Sequence, residues 1–237
     1  MNQSVQIDII SQIESELTWR MQELIFLKNK LSLIETESDK NRYRKSLVVM
    51  LYSYYEGFCK SAFQIYIQAI NSQNLLRSDA SLSIRTSSLH EVFLAYGNES
   101  KKDELFRKSL PNDTKLHKYS RQITFVEEFT NFLSETINIP EEIVDTESNL
   151  KPVVLKKILY RLGFPIENVQ ISENIINKLL SYRNSISHGS RKEGITDSDY
   201  EELESDVKDI MNSIRQTINN AIMDELYLDC VAANPPS

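Results

Sequence analysis

The stretch Tyr182-Arg183-Asn184-Ser185-Ile186-Ser187-His188-Gly189 ends an apolar helical segment of the chain. It places an arginine, an amide and one of only three histidines within six residues. Apolar residues at positions 175, 176, 179 and 180 recur at helical spacing just before it, which predicts an amphipathic helix. Ser172 is suited to begin this helix as an N-cap, and Gly189 to end it in the left-handed conformation. The stretch is therefore predicted to lie at the C-terminal end of a helix.

Two long helices are predicted on the N-terminal side. The apolar residues of the first recur every seven positions, at Ile10, Leu17, Leu24 and Leu31. They predict one amphipathic helix over about 4–36. A second row of apolar residues runs beside the first, and Arg20 is the exception in it. After the polar break at 35–39, apolar positions on several faces predict a central helix over about 40–71. Gly57 inside it costs about 1 kcal/mol relative to alanine, so we expect another helix to pass close to its backbone.

The middle of the chain gives weaker signals. Residues 72–118 are rich in Ser, Asn, Asp and Lys, and their apolar clusters at 89–96 and 105–110 predict one or two short helices at most. Helical spacing returns further along, at Ile123, Val126, Phe129 and Leu133. We therefore expect residues 72–150 to form an insertion of helices and loops.

The C-terminal third gives clear boundaries. Pro152 fits the first turn and Gly163 the end of a helix that covers about 154–162. Thr196 and Asp199 resemble a capping box in which Asp replaces the usual Glu. The apolar stripe of a last helix follows, at Leu203, Val207, Ile210, Ile214, Ile218 and Ile222. The tail, 232–237, is expected to be flexible.

Composition agrees with these helices. Five glycines and six prolines in 237 residues are too few for a loop-rich β-sandwich, and good helix formers dominate. The length is sufficient for one large core. We predict an all-α protein: a bundle of long antiparallel helices with a helical and loop insertion, folded as a single domain over 1–231.

Charge is distributed unevenly along the chain. The formal net charge is -7, but residues 1–39 carry -4 and residues 193–237 carry -9, which leaves +6 for residues 40–192. The basic groups therefore share the central part of the chain with the Arg-Asn-His stretch. A locally positive surface attracts phosphate even on an acidic protein, although solvated helix faces account for most such charges.

The remaining features predict a cytoplasmic protein. Cys59 and Cys230 lie far apart without metal-ligand spacing, which is typical of inert thiols in a reducing compartment. No stretch approaches the roughly 18 consecutive apolar residues of a membrane span. The N-terminus resembles no signal peptide. We expect no membrane association.

The chemistry of the stretch fits RNA cleavage without a metal. Such a reaction needs a base for the 2′-hydroxyl proton, an acid for the leaving 5′-oxygen, and positive charge at the phosphorus. His188 titrates near neutral pH and suits acid–base work, Arg183 suits phosphate, and Asn184 suits the positioning of either. On a helix, Asn184 and His188 share a face while Arg183 lies about 140° away from His188. The arginine reaches the same point through its length, or a second copy of the helix brings its own arginine in a two-fold dimer.

Two motifs together resemble one family. The stretch 182–189 is similar to the signature of the HEPN superfamily: an Arg, usually followed by Asn, then a short gap and a His. The earlier Leu51-Tyr52-Ser53-Tyr54-Tyr55-Glu56-Gly57-Phe58-Cys59-Lys60 resembles the aromatic-Glu-Gly-Phe element of stand-alone bacterial HEPN nucleases of the MAE and RiboL-PSP types. The resemblance covers about 40–71 and 172–228.

The resemblance implies a HEPN-like helical bundle that forms a homodimer around the motif helices. It implies a metal-independent endoribonuclease that acts on RNA as a toxin or anti-phage effector, with an antitoxin or defence-system protein as a further partner. Arg183 would stabilise the phosphorane, His188 would transfer protons and Asn184 would position them. Glu56 would orient Arg183 or His188, unless it is only a polar residue at a helix crossing. The alternative is a non-catalytic HEPN module that binds a nucleotide or a protein.

The remaining aromatic, basic and histidine residues give weaker evidence of function. Tyr52, Tyr54, Tyr55 and Phe58 are expected in the core rather than stacked on bases. The basic pairs in the insertion would guide RNA or simply be solvated. His90 and His117 lack the neighbours of a metal site, and no glycine-rich phosphate loop is present. We therefore expect no metal and no cofactor.

Overall fold

The computed structural model describes residues 1–169 and 171–229. Within these ranges the chain forms eight α-helices and no β-strand, joined by loops and short 3-10 turns. The helices are α1 (Gln3–Asn29), α2 (Glu37–Asn71), α3 (Leu82–Ser87), α4 (His90–Gly97), α5 (Thr114–Asn131), α6 (Pro152–Arg161), α7 (Glu173–Ser187) and α8 (Asp197–Met223). The all-α prediction is confirmed.

The first two helices begin at side-chain caps. The Asn2 side chain accepts the amide of Val5 at the start of α1, and Thr36 does the same for Asp39 at the start of α2. Each cap satisfies an amide that the helix itself leaves free. The first helix was expected to continue to about residue 36, but α1 ends at Asn29 and a 3-10 turn, Lys30–Leu33, follows it.

Helix α2 runs through the centre of the bundle and packs against α1, α7 and α8. Its buried side chains point in several directions, as expected for a helix covered on more than one face. The fully buried ones include Leu51, Tyr55, Phe58, Cys59, Phe63 and Ile70. Burial raises the pKa of the Cys59 thiol well above its usual range, which fits the inert thiol predicted for this position.

Arg20 of α1 packs against Gly57 of α2. The group closest to the position of a Cβ on Gly57 is the Arg20 guanidinium on α1, with Nη2 3.4 Å away. This arginine is 6% exposed, and it donates to the carboxylate and carbonyl of Glu16 and to the hydroxyl of Ser61. The neighbour expected at Gly57 is therefore an arginine side chain of the adjacent helix rather than its backbone.

Residues 72–150 contain three short or peripheral helices. Of the two apolar clusters, only 89–96 coincides with a helix, α4; residues 104–109 form turns. His117 stabilises these turns, because its Nε2 lies 3.0 Å from the carbonyl of Leu110 and its Nδ1 accepts the amide of Asp103 at 3.2 Å. The helix expected near Ile123 starts earlier, at Thr114, where Asp113 caps it.

The C-terminal helices follow the predicted boundaries. Pro152 opens α6, and Gly163 after it has a φ of +76°. At the start of α8, Thr196 accepts the Asp199 amide and its hydroxyl donates to the Asp199 carboxylate. Ser172 precedes α7 as predicted, although its side chain makes no capping hydrogen bond.

Cys230 and the tail 232–237 lie outside the described residues. The single domain over 1–231 stays a prediction. None of the helices in the described ranges combines the length and the apolar character that a bilayer span requires.

Candidate active site

The C-terminal end of α7 is closed by a turn that folds back on the helix. The amide of His188 donates to the carbonyl of Asn184 at 2.9 Å, and Gly189 follows with a φ of +71°. The next two amides, of Ser190 and Arg191, both donate to the carbonyl of Ser185. The left-handed glycine thus reverses the chain and satisfies carbonyls that the helix end would leave free.

Arg183 is the most firmly held member of the predicted site. Its Nη1 donates to the Oδ1 of Asn149 at 3.0 Å and to the Oδ1 of Asn184 at 2.9 Å. Its guanidinium carbon lies 4.9 Å from the centre of the Tyr52 ring on α2, a cation–π distance. No carboxylate lies within 4.0 Å among the described residues. Its positive charge is therefore not neutralised by an ion pair.

One edge of this guanidinium remains available. All of its hydrogen bonds within the described chain come from Nη1, so Nε and Nη2 donate to no protein group there. Two parallel N–H groups form the fork that binds a phosphate or carboxylate with two hydrogen bonds. The contacts that fix Arg183 therefore leave free the edge that an anion requires.

Asn149 lies on a loop with an unusual backbone. Glu147 and Ser148 just before it both have positive φ, 51° and 62°, a conformation that costs about 1–2 kcal/mol for each residue with a side chain. The Asn149 amide donates to the carbonyl of Thr146, and the Leu150 amide donates to the hydroxyl of Tyr52 at 3.0 Å. The loop is thus fixed where the Asn149 side chain meets Arg183.

Tyr52 connects several parts of the site. It is buried, and this burial raises the pKa of its hydroxyl to about 12, with the negative charge of Glu56 contributing and Arg183 opposing. The hydroxyl therefore stays protonated at neutral pH. Tyr52 is a core residue, as expected, and it is also the surface on which Arg183 rests.

The predicted residues come together only in part. Arg183 and Asn184 contact each other directly. The negative charge of Glu56 helps to raise the pKa of Tyr52, and Glu56 makes no ion pair with Arg183 in the described chain. His188 is exposed at the end of α7, and its imidazole has no hydrogen bond to another described residue. The link between Asn184 and His188 is a backbone hydrogen bond. Contacts within one protomer therefore fix the side chain of Arg183 but not the imidazole of His188.

Two more cations lie at this end of α7. The guanidinium carbon of Arg191 is 4.6 Å from the centre of the Tyr182 ring, and the Lys45 ammonium donates to the Arg191 carbonyl at 2.6 Å. Neither has a carboxylate within 4.0 Å among residues 1–169 and 171–229. Their charges add to that of Arg183 at this end of the helix, and positive charge of this kind attracts phosphate.

Asn149, Lys45 and Arg191 were not predicted from the sequence. Asn149 is a polar residue in a polar loop, and no local pattern connects it to α7. Arg191 had a weak signal, because it lies three residues after His188. Across the part of the chain that the structure describes, no group of three or more His, Cys, Asp or Glu side chains is arranged to hold a metal ion.

The helical bundle and the Arg-Asn-x3-His turn at the end of α7 define a domain of the HEPN superfamily. The family model described as RiboL-PSP-HEPN matches residues 15–220. The chain therefore belongs to the RiboL-PSP-HEPN family, and the resemblance found in its sequence is confirmed. No significant match is found among curated proteins or among solved structures. HEPN domains commonly act on RNA and dimerise, so membership indicates a nuclease or RNA-related function.

Proposed function

We propose that this protein is a metal-independent endoribonuclease. The observation that carries the proposal is the state of Arg183, which is fixed by Asn149, Asn184 and Tyr52 and keeps its Nε and Nη2 free. A guanidinium fixed in advance and left without a carboxylate is suited to the charge that develops on a phosphate during cleavage.

The reaction is a transfer within the RNA strand. A base removes the proton of a 2′-hydroxyl, whose oxygen attacks the adjacent phosphorus, and the 5′-oxygen leaves with a proton from an acid. Arg183 binds the phosphate oxygens, and the exposed His188 serves as acid or base. Lys45 and Arg191 bind neighbouring phosphates. The products are a 2′,3′-cyclic phosphate and a 5′-hydroxyl.

The site is completed by a second copy of the chain. Within one protomer the Arg183 guanidinium lies against Tyr52 of α2, whereas His188 is exposed to solvent. A two-fold axis near the end of α7 brings the histidine of one protomer to the arginine of the other. The homodimer is thus part of the proposed mechanism.

The biological role that fits this activity is a cytoplasmic toxin or anti-phage effector, restrained by an antitoxin or a defence-system partner. Expression in bacteria tests it, since growth should stop with the wild-type chain and continue with His188→Ala. Normal growth with both chains at equal protein levels contradicts a toxin role.

Cleavage is tested with purified protein, total RNA and excess EDTA, followed by mapping of fragment ends. Fragments with 2′,3′-cyclic phosphate that disappear with Arg183→Ala and with His188→Ala support the proposal. His90→Ala is the matched control, because this histidine belongs to α4 and not to the site, and it should cleave like the wild type. Intact RNA, or equal cleavage by all variants, contradicts the proposal.

A second candidate is a HEPN module that binds a nucleotide without cleaving RNA. The observation in its favour is that the imidazole of His188 lacks an orienting partner within the described protomer, whereas the Arg183 fork alone is sufficient to bind phosphate. Calorimetric titration with nucleotides separates the two. Binding that requires Arg183 but not His188, with RNA left intact, favours the module.

A further inference from the structure

Helix α5 exposes an apolar face that no other described element covers. His117 is its only buried residue. On the opposite side, the exposed fractions of Tyr119, Ile123 and Val126 are 62%, 46% and 62%. Leu133, in the 3-10 turn that continues the helix, is 48% exposed. Contiguous exposed apolar surface of this kind marks an interaction site more often than an ordinary solvated face.

The inner side of α5 is already occupied. The Phe125 ring lies 6.0 Å from that of Phe93 and 5.5 Å from that of Tyr96, both on α4. Arg121 donates to the carbonyls of Tyr96 and Lys101 on the same side. The apolar outer face is thus not part of the hairpin that α4 and α5 form.

The outer face has the spacing of a coiled-coil seam. Its positions alternate in steps of three and four residues, the period that lets two helices interlock. We name this set the α5 seam: Leu116, Tyr119, Ile123, Val126, Thr130 and Leu133. Five of its six members are apolar, over four turns of helix.

We infer that the α5 seam is a dimerisation surface, covered by the same helix of a second copy in antiparallel orientation. In the register that uses all six positions, Leu116 meets the partner's Leu133, Tyr119 meets the partner's Thr130, and Ile123 meets the partner's Val126. The bulky tyrosine then faces the small threonine. A parallel pair would instead place tyrosine against tyrosine and threonine against threonine.

The charges of α5 favour the antiparallel orientation. The cations Lys115 and Lys118 lie in its first half, where Arg121 is bound on the inner side, and the anions Glu127 and Glu128 lie in its second half. Antiparallel packing places the positive half of one helix beside the negative half of the other, whereas parallel packing places like charges together. The flanking positions Ser120 and Glu127 also face each other across the antiparallel pair without repulsion.

This interface is separate from the one proposed at α7 and does not depend on RNA cleavage. Each contact is a two-fold contact of one surface with itself. A chain that uses both surfaces assembles beyond the dimer, and a chain that uses only the α5 seam forms a dimer of about twice its 27.5 kDa mass.

Light scattering after size-exclusion chromatography tests the surface itself. Ile123→Glu should lower the mass of the wild-type assembly at least twofold. Ile7→Glu is the matched control, because Ile7 is 56% exposed on α1 away from the seam, and its mass should equal that of the wild type. Far-UV circular dichroism verifies that both variants are folded. A folded Ile123→Glu variant with the wild-type mass, or a monomeric wild type, overturns the inference.

Cysteine pairing tests the orientation, in a chain in which Cys230 is replaced by serine. Mild oxidation of a mixture of Ile123→Cys and Val126→Cys should give a mixed disulfide dimer, and Ile123→Cys alone should give at least tenfold less cross-linking. Equal or stronger cross-linking of Ile123→Cys alone indicates a parallel pair and overturns the antiparallel arrangement. No cross-linking in either sample, with a different protein retained on the seam, assigns the face to another partner and also overturns the proposal.

Discussion

The guanidinium carbon of Arg183 lies 4.9 Å from the centre of the Tyr52 ring. This cation–π contact joins the motif helix α7 to the central helix α2. The Tyr52 hydroxyl in turn accepts the Leu150 amide, which fixes the loop that carries Asn149. Three segments that are distant in sequence thus meet at one side chain. The position of Arg183 depends on all three.

Replacing Asn149 should impair RNA cleavage without unfolding the protein. Asn149→Ala removes a hydrogen bond to a charged group, which contributes about 1.5–3 kcal/mol, so we expect kcat/KM for RNA to fall about 10- to 100-fold. Asn149→Asp should also impair cleavage, because its carboxylate would neutralise Arg183 while still holding it. Asn112→Ala, in an exposed loop, is the control. Unchanged kinetics in both Asn149 variants would show that this contact does not serve the reaction.

Replacement of His117 should lower stability and leave cleavage intact, whereas replacement of His188 should abolish cleavage and leave stability intact. His117 is 3% exposed and hydrogen-bonded to Leu110 and Asp103, so His117→Ala should cost about 1–3 kcal/mol of stability through the loss of two part-buried hydrogen bonds. His188 is exposed, so His188→Ala should change stability by no more than about 0.5 kcal/mol. Urea unfolding measures both effects. In the cleavage assay the order reverses, with His188→Ala inactive and His117→Ala active wherever it remains folded.

Glu204 should make stability depend on acid pH. Its side chain is 5% exposed between Lys28 and Lys208; burial alone would raise the pKa of this carboxyl, but the two ammonium groups lower it below the ordinary 4.5. A carboxyl with a lowered folded-state pKa stabilises the fold above its unfolded pKa, and this contribution is lost as the pH falls through the folded pKa.

We therefore expect Glu204→Gln to be less stable than the wild type at neutral pH by about 2 kcal/mol. The difference should shrink as the pH falls below 4.5. Urea unfolding at a series of pH values measures it. Glu202→Gln is the control, since this partner of Lys178 is 61% exposed and exposed ion pairs contribute little. A Glu204→Gln difference that stays constant into acid would mean that packing, not charge, accounts for the loss.

Most of the helical framework was predictable because local signals determine it. The capping box at Thr196 and the apolar period of the last helix predicted α8. The polar stretch 35–39 predicted a division between α1 and α2, although α2 begins within this stretch, at Glu37, because Thr36 caps it there. The turns at 104–109 were not predictable, because they depend on His117, a residue of another segment. Local apolar content suggested a helix there, and a tertiary contact prevails.

The candidate site was predictable only where its residues are neighbours in sequence. Arg183, Asn184 and His188 lie within about one and a half helical turns, so the apolar period before them and Gly189 after them placed all three at the end of α7. Asn149 lies 34 residues before Arg183, on a loop whose backbone takes positive φ at two residues that are not glycines. No periodicity or motif encodes such a contact. The prediction that Glu56 orients Arg183 or His188 stays a prediction; Glu56 and Arg183 have opposite effects on the pKa of Tyr52.

Mixing two inactive variants tests whether the site is shared between protomers. Arg183 contacts Tyr52 of its own α2, whereas His188 is exposed to solvent. A mixed dimer of Arg183→Ala and His188→Ala contains one site with both side chains intact, if each site takes its arginine and its histidine from different chains. We expect the mixture, refolded together, to recover up to about a quarter of wild-type cleavage, because half of the dimers are mixed and each has one of two sites intact.

If both groups act within one chain, every protomer lacks one of them and the mixture stays inactive. Recovery therefore supports a composite site, and its absence, in dimers shown by affinity tags to be mixed, argues for catalysis within a single protomer.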